Sequence, residues 1–174
     1  WTETINKYSA MTKSEKKMTK GRNKSVARSH TPTHEVPSAL PLKDVKELPT
    51  NLDWRTQTPN VVSSVKDQGH CGSCWAFAAT AVLESHVAIN SGLLFDLSPQ
   101  QIAMCSPNPN NCGGTGGCEG ATAEVAFDYI ASSVGALEEY ELGYNAYYNG
   151  DSACGVTDEM LPKATISGYT QLPA

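Results

Sequence analysis

The sequence predicts an α+β protein in which helices dominate. Residues 75–89 form an alanine-rich apolar run without proline or glycine, which predicts a buried helix. Helix signals recur at residues 98–105 and 121–133, whereas short apolar stretches at 61–65 and 164–169 predict strands. With 40% hydrophobic and 18% charged residues, the 174-residue chain has enough apolar residues for about one domain core.

Charge is distributed unevenly along the chain. Residues 1–47 carry ten Lys and Arg against five Asp and Glu, a net of +5, whereas residues 48–174 carry three against thirteen, a net of −10. Either a solvated basic tail or a basic segment lying on an acidic body explains this contrast. The basic residues lack interleaved aromatics, so nucleic acid is not an expected partner. No apolar run approaches the roughly 20 residues that span a bilayer, so no membrane partner is expected.

The composition changes near Leu48, which we take as a boundary between two segments. Residues 26–50 contain four prolines and no clear periodicity, so they are predicted to be extended. Residues 106–120 hold five glycines and two prolines and predict a loop.

The predicted helices have recognisable ends. Gly92 follows the first helix as a C-cap residue. Ser98 is the predicted N-cap of the second helix, and Pro99 occupies its first position, where a missing N–H costs nothing. Apolar residues at helical spacing between Ala123 and Ile130 predict the third helix.

The stretch before the first helix contains the candidate chemistry. Cys74 falls in the first helical turn, where the partial positive charge of the helix N-terminus favours the thiolate. Gln68 lies six residues upstream on a glycine-bearing loop, from which its amide can reach the same sulfur. A nucleophile beside a hydrogen-bond donor suits attack on a carbonyl and stabilisation of the resulting oxyanion.

The pair Cys71 and Cys74 has three possible uses: a redox dithiol, half of a zinc site, or a structural cysteine beside a catalytic one. Zinc requires a second closely spaced pair, but Cys112 and Cys118 are six residues apart and no histidine follows His86. A redox site commonly has Trp before the first cysteine, whereas Trp75 follows the second. The third use is favoured, with no metal and no cofactor.

Cys71-Gly-Ser-Cys74-Trp75 resembles the nucleophile motif of the papain and cathepsin family. Further stretches that resemble family motifs are residues 48–55, 65–69, 97–101, 117–120 and 126–127 in the body, and residues 6–12 in the propeptide. The resemblance implies a cathepsin L-like cysteine endopeptidase with a papain-like fold. It comprises a mainly helical left lobe and the start of the right lobe over residues 48–174, preceded by a partial, extended inhibitory propeptide over residues 1–47.

The resemblance also implies roles for individual residues. Cys74 is the expected nucleophile, and Gln68 with the Cys74 N–H the expected oxyanion hole. The residues expected to contact an extended peptide substrate are Gly72, Gly120, Ala121, Thr122 and Ala123, with Trp75 and Phe77 assigned to the core. The implied disulfides are Cys71–Cys118 and Cys105–Cys154. Cys112 is then left either as a thiol or bonded to a cysteine outside the chain.

The family's catalytic His and Asn lie about 130–150 residues after the cysteine, but only 100 residues follow Cys74. His86 is about 18 Å from Cys74 along the helix axis, and His70 is expected to be exposed. The chain is therefore interpreted as an incomplete precursor that lacks its C-terminal lobe and is inactive alone. The expected partners are peptide substrates and its own propeptide. The expected location is a lysosome or a vacuole, or outside the cell after secretion. The alternative is a non-catalytic papain-like binding protein.

Overall fold

A computed structural model of the chain describes residues 11–18 and 50–170. Those residues contain the helices α1 (Lys13–Met18), α2 (Cys74–Ser91), α3 (Pro99–Cys105), α4 (Ala123–Ser132) and α5 (Ala146–Asn149), with 3-10 turns at Trp54–Thr56 and Gly117–Glu119. Of the described helices, none is both long enough and apolar enough to cross a membrane.

The strands expected at residues 61–65 and 164–169 are not found. The described part of the chain has only isolated antiparallel bridges, Leu97 with Glu138 and Ala136 with Ala164. A strand requires a continuous ladder to a neighbour, and single bridges do not provide one. Apart from the bridge at Ala164, the residues of both stretches lie outside helices and strands.

Helix α2 is the central element, and its prediction is confirmed with slightly wider limits. Gly92 ends it in the left-handed conformation (φ 75°), donating its N–H to the Ala88 carbonyl at 2.9 Å. One face of α2 packs against both α3 and α4. The buried core contains Trp75, Ala76, Ala79, Leu83, Leu97, Ile102, Ala103, Cys112, Ala121, Val125, Ala126, Ile130 and Ala136. Trp75 belongs to this core as predicted, whereas Phe77 is only partly buried.

Helix α3 begins as predicted, with the Ser98 hydroxyl accepting the Gln101 N–H at 3.1 Å and Pro99 in the first turn. Two fully buried glutamines follow. Gln101 donates to the Gly135 carbonyl at 2.8 Å and accepts the Leu137 N–H at 2.8 Å, while Gln100 accepts the Asn145 N–H at 3.1 Å. The two side-chain amides therefore connect α3 to the segment that follows α4 and provide hydrogen-bond partners for backbone groups of that segment.

A buried ion pair fixes the chain that leads into the site. Glu84 on α2 is 0% exposed and accepts a hydrogen bond from Lys66 Nζ at 2.5 Å and from the Leu97 N–H at 2.8 Å. Burial by itself would lower the pKa of Lys66, but hydrogen bonds to Asp96 and Glu84 outweigh burial and raise it. The Lys66 side chain therefore stays protonated and links the segment before the site to α2.

Most of the expected propeptide, residues 1–47, lies outside the described residues. Its described part contains α1, a helix where the prediction was an extended chain. Thr12 and Glu15 form a capping box, because the Thr12 N–H donates to Glu15 Oε2 at 2.7 Å and the Glu15 N–H donates to Thr12 Oγ1 at 3.3 Å. This local signal accounts for the helix.

Candidate active site

Cys74 is the first residue of α2, directly after the N-cap Ser73. Its side chain is partly exposed, while Ser73 is fully buried. The α2 axis therefore directs the positive end of its dipole toward the thiol. This placement agrees with the one inferred from the sequence.

A cavity of about 520 Å³ opens beside Cys74. The start of α2 forms one wall, the start of α4 another, and the described C-terminal residues a third. Its lining consists of Cys74, Trp75, Ala78, Ala121, Thr122, Ala123, Glu124, Phe127, Tyr169 and Thr170. Three residues expected to contact substrate, Ala121 to Ala123, thus lie in the same cavity as the thiol.

Tyr169 is a cavity residue that the sequence did not indicate. Its ring lies 5.8 Å from that of Phe127, centroid to centroid. Burial, followed by the carboxylates of Asp128 and Glu124, raises the pKa of Tyr169 to about 12. Its hydroxyl therefore stays neutral throughout the range in which enzymes operate.

The loop before α2 holds Gln68 with its side chain folded back toward the helix. Gln68 Nε2 donates to the Cys71 carbonyl at 2.7 Å, and the Gly69 N–H donates to Asp67 Oδ1 at 2.9 Å. Gly69 has φ 66°, and a Cβ there would lie 2.5 Å from the Tyr147 ring, so this position requires glycine. The exposed His70 donates its backbone N–H to the Tyr147 carbonyl at 3.2 Å.

Tyr144 contacts this loop from a segment more than 70 residues further along the chain. Its hydroxyl donates to the Gln68 carbonyl at 2.9 Å and lies 2.7 Å from Ser73 Oγ. Its ring packs edge-on against Phe77, with centroids 4.8 Å apart. No local pattern in the sequence indicates this contact, because it joins residues more than 70 positions apart.

Two disulfides, Cys71–Cys118 and Cys105–Cys154, cross-link the chain around the site. The cysteines they join are 47 and 49 residues apart in the sequence. These are the same pairs that the family resemblance implies. Cys74 and Cys112 form no disulfide. Cys112 is 0% exposed in the core, a placement that favours a buried thiol over a bond to a cysteine outside the chain.

Gly72 and Gly120, two further residues expected to contact substrate, are buried and do not line the cavity. The Gly72 N–H donates to the Cys118 carbonyl at 3.0 Å, and the Gly120 carbonyl accepts from Gly116 at 2.8 Å. Among the residues described, His70 and His86 are both exposed, and neither lines the cavity with Cys74. Within residues 11–18 and 50–170, no group of metal-ligating side chains could hold an ion.

A partly exposed thiol at the start of a buried helix, facing a cavity and preceded by a glutamine loop, is typical of a cysteine-dependent hydrolase. Residues 48–174 match the family model of the papain family cysteine proteases. The chain therefore belongs to the papain family of cysteine proteases, and its fold is papain-like.

Individual relatives support this assignment. Vignain of Ricinus communis is 36% identical over 129 residues, covering 74% of this chain and 33% of vignain. Cathepsin L1 of Drosophila melanogaster is 40% identical over 126 residues, covering 72% of this chain and 31% of the relative. The structure of digestive procathepsin L 3 from the Tenebrio molitor larval midgut has a TM-score of 0.74 and 30% identity, covering 100% of this chain and 50% of its own. The chain thus spans about a third of these curated relatives and half of that solved structure.

Proposed function

We propose that this chain is the propeptide-linked nucleophile half of a cathepsin L-like cysteine endopeptidase. The observation that carries the proposal is the placement of Cys74 at the first residue of α2, on the wall of a cavity that also contains Ala121 to Ala123. The positive end of the helix dipole lies at this position, and the cavity offers space for a peptide side chain.

In the proposed reaction, the Cys74 thiolate attacks a peptide carbonyl. The Gln68 amide and the Cys74 backbone N–H stabilise the tetrahedral oxyanion. Collapse of this intermediate breaks the C–N bond and leaves an acyl group on the sulfur, while a histidine protonates the departing amine. Water then attacks the thioester and releases the acid. Ala121 is proposed to position the substrate through its backbone groups, and Thr122 and Ala123 to shape its side-chain pocket. Gly72 and Gly120 are buried and do not line the cavity, so they are assigned no direct contact with substrate there.

The catalytic His and Asn are assigned to a second lobe outside residues 1–174. Exposed apolar side chains support this assignment: Val82 and Ile89 on α2 line one cavity with Trp54, and the three are 45%, 51% and 50% exposed. Clustered apolar side chains of this kind usually mark contact surfaces. We therefore expect the 174-residue chain to have negligible peptidase activity by itself.

Residues 1–47 are proposed to be a partial propeptide, and residues 48–174 the first part of the peptidase domain. The proposed partners are protein substrates and this propeptide. A lysosomal, vacuolar or secreted location is proposed, because widely spaced disulfides require an oxidising compartment.

The test is labelling with a cysteine-reactive epoxide probe of a polypeptide extended beyond Ala174 by a papain-family second lobe. We expect labelling at Cys74, its loss in Cys74→Ala, and no labelling of the buried Cys112. Gln68→Ala should lower kcat by about 10²- to 10³-fold, as expected for one oxyanion donor. An extended polypeptide that folds but is not labelled at Cys74 would favour the non-catalytic binding protein instead.

A further inference from the structure

We propose that Tyr144 is a positioning residue for the oxyanion donor: its hydroxyl holds the main chain of Gln68 against the start of α2 and so fixes the donor relative to the Cys74 sulfur. This inference rests on the proposed function, because it assumes that Gln68 stabilises an oxyanion formed at Cys74.

The direction of the hydrogen bonds follows from the number of protons available. A carbonyl only accepts, so the single Tyr144 hydroxyl proton goes to Gln68 O, at 2.9 Å. The 2.7 Å contact with Ser73 Oγ must then have Ser73 as its donor. Ser73 is the N-cap of α2, yet its hydroxyl makes no capping bond. A residue type that usually caps a helix is thus used to bind Tyr144.

Tyr144 is itself held in place from several directions. Its backbone N–H donates to Glu139 Oε1 at 2.7 Å, and its ring packs against Phe77 on α2. Burial raises the pKa of Tyr144 above its ordinary value, so the hydroxyl keeps its proton under mildly alkaline conditions. The hydroxyl is therefore a fixed donor, not a mobile surface group.

The Gln68 loop needs such a support. Gln68 lies on a glycine-bearing loop, and its Nε2 donates to the Cys71 carbonyl, three residues further along the same loop. That bond orients the amide within the loop but does not connect the loop to α2. The chain Ser73–Tyr144–Gln68 supplies this connection, from the residue immediately before Cys74 to the residue that carries the donor. Displacing a catalytic donor by a fraction of an ångström weakens its effect on the reaction.

The test uses the 174-residue chain and a reaction that needs no general acid. A peptidyl p-nitrophenyl ester is mixed with the protein at about pH 9, where ordinary cysteine thiols are largely thiolate. The Cys74 sulfur bonds to the carbonyl carbon, the aryl C–O bond breaks, and p-nitrophenolate leaves with the electron pair. The rate of this single turnover depends on the oxyanion donor. Alkylation by iodoacetamide forms no oxyanion, so its rate reports only the thiolate.

We expect Tyr144→Phe to slow acylation about 3- to 10-fold, the factor expected for losing one ordinary hydrogen bond. Alkylation of Cys74 should change less than about twofold, because the thiolate is untouched. Tyr147→Phe is the matched control, because it removes a hydroxyl from the same segment of the chain. That hydroxyl contacts Asp67 Oδ2 at 3.4 Å. Both of its rates should equal those of the wild type.

A double-mutant cycle separates positioning from general destabilisation. In a Gln68→Ala background, Tyr144→Phe should cause no further loss of acylation, because the donor it positions is gone. Alkylation of the buried Cys112 reports unfolding in any variant. If Cys74 is acylated at the same rate in Tyr144→Phe and Tyr147→Phe, but slowly in Gln68→Ala, this inference is overturned and the proposed function stands. Unchanged acylation in Gln68→Ala would overturn the oxyanion assignment and this inference with it.

Discussion

Glu84 is a carboxylate with no solvent exposure, and its neighbours explain how the fold tolerates it. Its three partners come from two separate parts of the chain: the Ser63 hydroxyl and the Lys66 ammonium from the segment before α2, and the Leu97 N–H from the segment after it. A buried charge is stable only when it is paired and fully hydrogen-bonded. Residue identity at position 84 therefore depends on residues 13 to 21 positions away.

Removing Glu84 should be far more costly than removing the other carboxylate bound to Lys66. Glu84→Ala leaves the Leu97 N–H without its buried acceptor and removes the buried one of the two carboxylates that bind Lys66, so we expect a loss of about 3–5 kcal/mol in the free energy of unfolding. Asp96 also binds Lys66, at 2.6 Å, but its side chain is 60% exposed. Asp96→Ala should cost about 1 kcal/mol or less. Urea unfolding of both variants measures this difference, and equal losses would contradict it.

Glu139 should make stability depend on pH. Burial raises its pKa, outweighing the hydrogen bond from the Tyr144 N–H and the Lys66 charge. The folded protein therefore keeps this proton to higher pH than the unfolded chain, so stability falls as pH rises from about 4.5 through the raised pKa. Glu139→Gln retains the acceptor for Tyr144 and cannot ionise.

Accordingly, Glu139→Gln should match the wild type in stability near pH 4 and exceed it at pH 7. Denaturation midpoints at several pH values measure the difference. Glu159→Gln, at an exposed position, is the control and should show no such trend. An advantage for Glu139→Gln that shrinks as pH rises would have the wrong sign.

At the scale of elements, the helices follow local signals closely. The Ser98-Pro99 start of α3 and the Gly92 end of α2 were both predicted from single residues, because caps depend on chemistry within one turn. The strand predictions were wrong because a strand, unlike a helix cap, does not depend on local chemistry alone. A strand depends on a distant partner, and in the described residues such partners form only isolated bridges.

Gly92 allows the backbone contribution of one cap to be measured. A Cβ at Gly92 meets nothing within 4 Å, so the only penalty of Gly92→Ala is its φ of 75°. We expect a loss of about 1–2 kcal/mol in the free energy of unfolding. Gly143→Ala is the control, because its Cβ would have an ordinary 3.5 Å contact and the backbone there is not left-handed. That variant should be neutral or stabilised by up to about 1 kcal/mol.

For the whole molecule, the charge contrast between residues 1–47 and residues 48–174 predicts electrostatic association of the two segments. The net charges are +5 and −10. A peptide of residues 1–47 should bind residues 48–174 about tenfold more weakly in 1 M than in 0.1 M salt, because the Debye length falls from about 10 Å to about 3 Å.

Binding should also weaken from pH 7 to pH 4, since protonation removes negative charge from the acidic segment. Isothermal titration calorimetry measures both effects. A peptide of the same composition in scrambled order separates net charge from a specific fit. Affinity indifferent to both salt and pH would contradict the electrostatic model.

The sequence by itself determined the helix that carries Cys74 and the ends of that helix, because the nucleophile motif, the caps and the apolar run are all local. It also placed Cys74 and Gln68 within one short stretch. Only the tertiary structure decided that Tyr144 contacts Gln68 and Ser73, that Cys112 is buried, and that Ala121 to Ala123 share a cavity with the thiol. These features join residues roughly 40 to 75 positions apart, through single hydrogen bonds and side-chain packing that leave no periodic pattern in the sequence.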